Sequence, residues 1–281
     1  MKKKHKKWKE RKWELGFLLP SLIGVSVFFV VPFGVIFYYS MVDSPIDPRF
    51  VFLRNFVNLF HNSAFLQAAK NTAVFSLTAV PLAVLLSLGM AIILEQNIPL
   101  RSTFRTFFLT PLMVPTASIV LIWQVFFHYN GAINQFLVHL GTGKIDWFKS
   151  SFSQVIVLLL FLWKNLGYNM ILFLAALNDI PREYMEVADL DGASAWQKFI
   201  YIKIRYLSPT ILFVAIMSLI NSFKVFREVY LLTGDYPYDT LYMLQHFMNN
   251  TFKALDYQKL SAAAIRSEER RVGKECRSRW S

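Results

Sequence analysis

The chain has 281 residues, 55% of them hydrophobic, with 27 Phe, a mean hydropathy of +0.38 and a formal charge of +12. Only 17% are charged, against roughly a quarter in a soluble domain, and the apolar residues come in blocks of about 20, the length that crosses ~30 Å of hydrocarbon. A soluble globular fold is excluded, and with one Cys in the whole chain so is a disulfide framework.

Residues 1–14 are a basic stretch, MKKKHKKWKERKW followed by Glu14. Beside a membrane span such a cluster reads as an orientation signal and an anionic-lipid contact, not as a nucleic-acid patch. The first span runs from Leu15 to Ser40, with kinks expected at Pro20 and Pro32. A polar stretch from Met41 to about Ala64 leads to the second span, about Leu66 to Leu94. The loop EQNIPLRSTFR precedes a third span, Thr106 to about Phe127, and a Gly-containing loop follows, 128–152. The fourth span is Ser153 to Leu177 and the fifth is Ser208 to Leu232. Between them lies the charged stretch of about 179–207. A last polar loop leads to a sixth span that begins near Gln258 and is cut at Ile265. The expected fold is thus an all-α membrane protein of six transmembrane helices, the sixth truncated.

Residues 266–281, RSEERRVGKECRSRWS, end that apolarity abruptly. The string is the translation of a common sequencing-library adapter, and it is expected to be an artefact and set apart from the fold. Its six basic and three acidic residues leave +9 on residues 1–265, and it holds the only cysteine, Cys276. Thiol catalysis and cysteine metal sites are therefore not expected.

Lys and Arg in the short loops set the orientation. With the Lys-rich N-terminus in the cytoplasm, Arg101, Arg105, Arg182, Lys198, Lys203 and Arg205 are cytoplasmic too, while the opposite loops mix Asp with Lys and Arg. The stretch EYMEVADLDGASAWQKF, 183–199, then lies inside the cell. Asp179 is a candidate N-cap, with Pro181 in the first turn. Glu183 and Glu186 suit the positive end of that helix. Asp191-Gly192 interrupts it, and Ser194-Ala-Trp-Gln197 has capping-box form and restarts it. Two short helices meeting at Gly192 are expected, with Ala188, Ala193 and Ala195 keeping the corner slim enough for another backbone. By local rules alone an amphipathic helix lying on the bilayer fits equally well.

The spacing E-V-A-x3-G-x9-I, Glu186 through Val187, Ala188 and Gly192 to Ile202, resembles the EAA loop of binding-protein-dependent ABC importer permeases. The text WKNLGYNMILFLAALNDIPREYMEVADLDGASAWQKFIYIKIRYLSPT is similar to the sugar-permease branch, the maltose and glycerol-3-phosphate type, and so are VYLLTG and DYQKLSAAAI. The resemblance covers residues 15–265. Two departures are mild: Val187 stands where alanine is usual and Arg205 where proline is usual, which lets the helix run on toward the fifth span.

The resemblance implies a type I ABC importer permease in the bacterial cytoplasmic (inner) membrane, moving a carbohydrate (a mono- or oligosaccharide, or a glycerol-phosphate-like solute) by alternating access. The loop, with Glu186, Val187, Ala188, Asp191, Gly192 and Ala193, would be a coupling helix seated on an ABC ATPase dimer, Glu186 facing a basic group there and Gly192 allowing the bend. The other implied partners are a second permease subunit, an extracytoplasmic solute-binding protein and the lipid bilayer. ATP and Mg would be used by the ATPase. This chain carries no G-x-x-x-x-G-K-[ST] run and no catalytic constellation, so no enzyme activity and no cofactor of its own are expected.

Polar residues inside spans are functional candidates. Trp163, Asn165, Tyr168 and Asn169 in the fourth span, with Asn221 and Ser222 in the fifth, suit a carbohydrate: aromatic rings stack on sugar C–H faces and amides bond hydroxyls. For each, an ordinary interhelical hydrogen bond is the competing explanation. Lys164, Lys224 and Arg227 are read as lying near span ends, where snorkelling accounts for them. His61, His128, His139 and His246 have no metal-ligand spacing. An ion-coupled secondary transporter or channel is the alternative class. It would call for acidic residues in mid-span, and the spans contain almost no Asp or Glu.

Overall fold

The computed structural model describes residues 16–43, 48–96 and 98–254. The basic N-terminus, the sixth span and the tail after Ile265 lie outside the described residues. Twelve helices can be named: α1 Gly16–Ser40, α2 Arg54–Phe60, α3 Ser63–Glu95, α4 Arg101–Met113, α5 Thr116–Phe127, α6 Ala132–His139, α7 Ser153–Asn178, α8 Arg182–Leu190, α9 Ala195–Lys198, α10 Ile204–Lys224, α11 Phe226–Thr233 and α12 Leu244–Lys253. Among the described residues there is no strand beyond one isolated bridge, Val42 to Phe50. Among the described residues four helical stretches are long and apolar enough to cross a membrane, Gly16–Ser40, Ser63–Glu95, Ser153–Asn178 and Ala195–Thr233, and the bent pair Arg101–Met113 with Thr116–His139 is a fifth if it is counted as one broken span.

The chain divides into two compact units, Met1–Leu66 with Phe247–Ser281 and Gln67–His246. In the first, α1 is exposed along its apolar length. It does not break at Pro32; a π turn at Ser26–Val30 lies just before that residue, with the Val31 N–H bonding back to Ser26 O. Proline removes one helical donor and crowds the carbonyl four residues back, and the wider turn relieves that crowding. The chain leaves α1 through Asn55, whose amide donates to the carbonyls of Ser40 and Val42, each at 2.9 Å.

The second unit is organised around α7. One face packs Val157, Phe161 and Leu162 against Phe75, Ala79 and Ala83 of α3 and against Val225 and Val229. Further along, Met170, Phe173, Leu174 and Leu177 meet Leu88, Ala91 and Leu94 of α3 and Leu207 and Val214 of α10. Ala79, Ala83 and Ala91 are fully buried, and in lipid such small residues let helices approach closely, because contact replaces the hydrophobic effect as the driving force. The tightest approach is at Gly167: a Cβ there would stand 1.8 Å from Phe108 O, so α4 lies directly on the α7 backbone.

The third span is not one straight helix. It breaks between Met113 and Thr116, with a 102° bend between Arg101–Met113 and the helix that follows. The cause is local. Val114, preceding Pro115, is extended (φ −86°, ψ 130°) and so cannot continue α4. The expected loops also hold helices: α2 in the stretch after the first span, α6 within 128–152, and α12 before the sixth. Asn134 holds the loop after α6, accepting from Ile145 N–H at 3.1 Å and Trp147 Nε1–H at 3.1 Å.

His246, on α12, is fully buried edge-on against Phe226, ring centroids 4.7 Å apart. Its Nδ1 accepts from Met243 N–H, and its Nε2 is buried without a hydrogen-bond partner. Burial lowers its pKa from 6.5 to about 4, with Asp235 pulling weakly the other way.

Candidate coupling corner and translocation cavity

The stretch between α7 and α10 folds as two short helices about Gly192. Asp179 does not open α8. It closes α7, its N–H donating to Ala175 O, and Pro181 takes the N-cap position of α8 (φ −60°, ψ 133°). A proline bars the residue before it from helical geometry, so α7 has to end first. Of the two glutamates, Glu183 lies in the first turn, and Glu186 lies beyond it.

α8 ends in a Schellman motif. Gly192 adopts φ +73°, its N–H bonds Asp189 O at 3.1 Å, and the Ala193 N–H bonds Ala188 O at 2.9 Å. That left-handed turn favours glycine. Ser194 and Gln197 then form the full reciprocal capping box, satisfying two donors that the start of α9 leaves free. Lys198 Nζ meets Asp189 Oδ1 at 2.6 Å and ties the second helix to the first. The corner presents an apolar surface: Tyr184, Val187, Leu190, Trp196 and Tyr201 are all exposed, Leu190 at 88%. Space around Gly192 is open.

From α9 the helix passes into α10 through a π turn, Phe199–Lys203, where Ile204 N–H bonds Phe199 O. It runs straight through Arg205. Lys203 Nζ reaches Glu95 Oε2 at the end of α3, 2.5 Å away.

Midway along α7, a cavity of about 340 Å³ opens between α7 and the α10–α11 junction. Met217, Asn221, Lys224 and Glu228 line it from one face, at spacings of four, three and four residues. Asn165 and Tyr168 line it from α7. Asn221 Nδ2 donates to Asn165 Oδ1 at 2.9 Å, which leaves the Asn165 amide to Phe161 O. Of the six sequence candidates, three thus come together here.

The other three serve packing. Asn169 is buried and donates to Ser218 Oγ at 3.0 Å. Ser222 is buried against Ser76, 2.8 Å between hydroxyls. Trp163 stacks on Trp123 of α5, centroids 5.2 Å apart.

One charged residue changes its assignment and another enters the site. Lys164 is not at a span end but at the middle of the 26-residue α7. It forms an ion pair with Glu228 and also donates to Thr116 Oγ1 at 3.4 Å. Glu228 was not singled out from sequence. It is 4% exposed, and its second carboxylate oxygen, Oε2, is buried without a hydrogen-bond partner. A charged side chain at mid-helix costs about 2.5–3.5 kcal/mol on insertion scales, so a lone Lys in one span and a lone Glu in the next are the signal that could have found the pair.

Comparison with known proteins follows the same lines. A family model described as "Binding-protein-dependent transport system inner membrane component" matches residues 79–265. A lactose transport system permease protein of Rhizobium radiobacter is 32% identical, over 84% of this chain and 82% of its own length. A trehalose/maltose transport system permease protein of Thermococcus litoralis is 30% identical, over 92% of this chain and 90% of its own. In a crystal structure of a bacterial alginate ABC transporter, in complex with a periplasmic protein holding an alginate pentasaccharide, one chain superposes with a TM-score of 0.78 at 22% identity. The match covers 92% of this chain and 91% of that one, and it shows the shared fold.

Proposed function

We propose that this chain, which belongs to the family of binding-protein-dependent transport system inner membrane components, is the permease subunit of an ATP-driven importer for a carbohydrate or a related polyol. The observation that carries the reading is the cavity beside α7. Tyr168 offers a ring, and Asn165 and Asn221 offer amide groups. A polyhydroxylated solute supplies hydroxyl donors and C–H faces that match this set. Relatives named for lactose and for trehalose/maltose transport support the class.

Movement through the membrane then depends on the corner. The exposed apolar residues Val187 and Leu190, with Glu186, Ala188, Asp191, Gly192 and Ala193 around them, form a compact projecting element that would seat in a cleft of an ABC ATPase. ATP, with Mg, would be bound and hydrolysed in that partner dimer. Closure of the dimer would pull on the corner, and a second permease subunit would complete the pore. A solute-binding protein would deliver the solute on the opposite side. The N-terminus and the corner would both face the cytoplasm.

The experiment is co-purification followed by replacement of Glu186. A tagged chain should bring down a P-loop ATPase and a second permease. Glu186→Gln should then reduce solute-stimulated ATP hydrolysis in the assembled complex while the binding protein keeps its affinity. Recovery of the chain without an ATPase, or unchanged coupling in the variant, overturns the reading.

A further inference from the structure

The charges in the cavity do not balance. Lys164, Lys224 and Arg227 line it with one carboxylate, Glu228. That carboxylate is already engaged, because Glu228 pairs with Lys164. Lys224 and Arg227 have no ion pair or hydrogen bond among the described residues. They sit three residues apart across the α10–α11 junction at Val225, so both project to one side of the helix. Both are exposed, beside Asn165, Tyr168 and Asn221 in the cavity lining, so the cavity carries a net positive charge that draws an anion toward it.

We infer that the solute is anionic, a sugar or polyol bearing a carboxylate, phosphate or sulfonate that is met by Lys224 and Arg227 while its hydroxyls engage Asn165 and Asn221. This rests on the importer reading and narrows it. Arg presents a planar pair of donors suited to a two-oxygen anion, and Lys a compact point charge. Glu228 would repel the anion if it were free, but its pairing with Lys164 neutralises it.

The test uses the full complex with its second permease, ATPase and binding protein in proteoliposomes. Three labelled probes are compared: glycerol 3-phosphate, a glucuronate disaccharide, and maltose as the neutral control. At least one anionic probe should enter faster than maltose, and whichever is preferred identifies the anion. The double variant Lys224→Gln with Arg227→Gln should lower the ratio of anionic to neutral uptake about tenfold to a hundredfold, the worth of a hydrogen bond to a charged group. Lys224→Arg with Arg227→Lys should keep the preference. Preferred uptake of maltose, or a ratio that the double variant leaves unchanged, overturns the inference and leaves the importer intact. Loss of the second permease from the purified double variant also overturns it, by showing that these cations face that subunit. If no probe enters and ATP hydrolysis answers to none, the importer reading itself fails.

Discussion

Lys164 of α7 and Glu228 of α11, 64 positions apart in sequence, form one ion pair on the wall of the cavity. The Glu228 side chain is 6% exposed and that of Lys164 30%. Such a pair is poor evidence for net stability, since both charges have been desolvated, but breaking one side strands the other. Glu228→Ala or Lys164→Met alone should therefore destabilise the purified complex by about 3–5 kcal/mol, and the joint change Lys164→Met with Glu228→Leu should recover most of it. Melting of the detergent-solubilised complex is the measurement. Simple additivity of the two single changes would mean that the residues are not coupled.

Gly167 and Gly89 make a matched comparison. At Gly167 an added methyl collides with the Phe108 backbone at 1.8 Å, whereas at Gly89 it meets nothing within 4 Å. Gly167→Ala should cost about 1–3 kcal/mol or more, because α4 has to move off α7. Gly89→Ala should be neutral or slightly stabilising in a helix interior. Yield and melting of the two variants, purified side by side, decide it.

Gly192 is constrained by its backbone and not by space. Its φ is +73° and its surroundings are open. Gly192→Asn should be tolerated, and Gly192→Val should cost about 1–2 kcal/mol in the corner, since a branched Cβ crowds the carbonyl in left-handed geometry. In the assembled complex the Val variant should lose solute-stimulated ATP hydrolysis and the Asn variant should retain most of it. Equal coupling in the two would separate the turn from the transport step.

His246 predicts acid sensitivity with a definite sign. Its pKa falls from 6.5 to about 4 because burial opposes the charged ring. Below pH 6.5 the unfolded chain takes up a proton that the folded chain refuses, so stability declines as pH falls from 6.5 toward 4, by about 3 kcal/mol in total. His246→Asn, which keeps an acceptor for the Met243 N–H, should flatten this part of the stability profile. A profile identical to that of the parent would assign the acid response elsewhere.

Periodicity and length made the long helices legible, and local capping chemistry made the corner legible. Ser194 and Gln197 form the reciprocal bonds their spacing announces, and Gly192 sits in the left-handed turn its position suggests. What sequence spacing missed is tertiary. Pro115 marks a break, but only the packing of α4 on Gly167 and of Trp123 on Trp163 sets where the two halves go. Asn165 and Asn169 look alike in sequence. One faces the cavity and the other lies buried on Ser218, because they differ by a full turn in neighbours along α7. Glu228 was passed over because a single carboxylate reads as noise until its lysine, on another helix, is beside it.

The π turn at Phe199–Lys203 has a geometric effect on everything below it. An α-helix advances about 100° per residue, so one extra residue taken up in a wide turn offsets the two flanking segments by about that angle. Trp196 and the face of α9 are thereby out of phase with the cavity-lining stripe of α10. Under the proposed coupling, a pull on the corner would reach the cavity as a twist as well as a push.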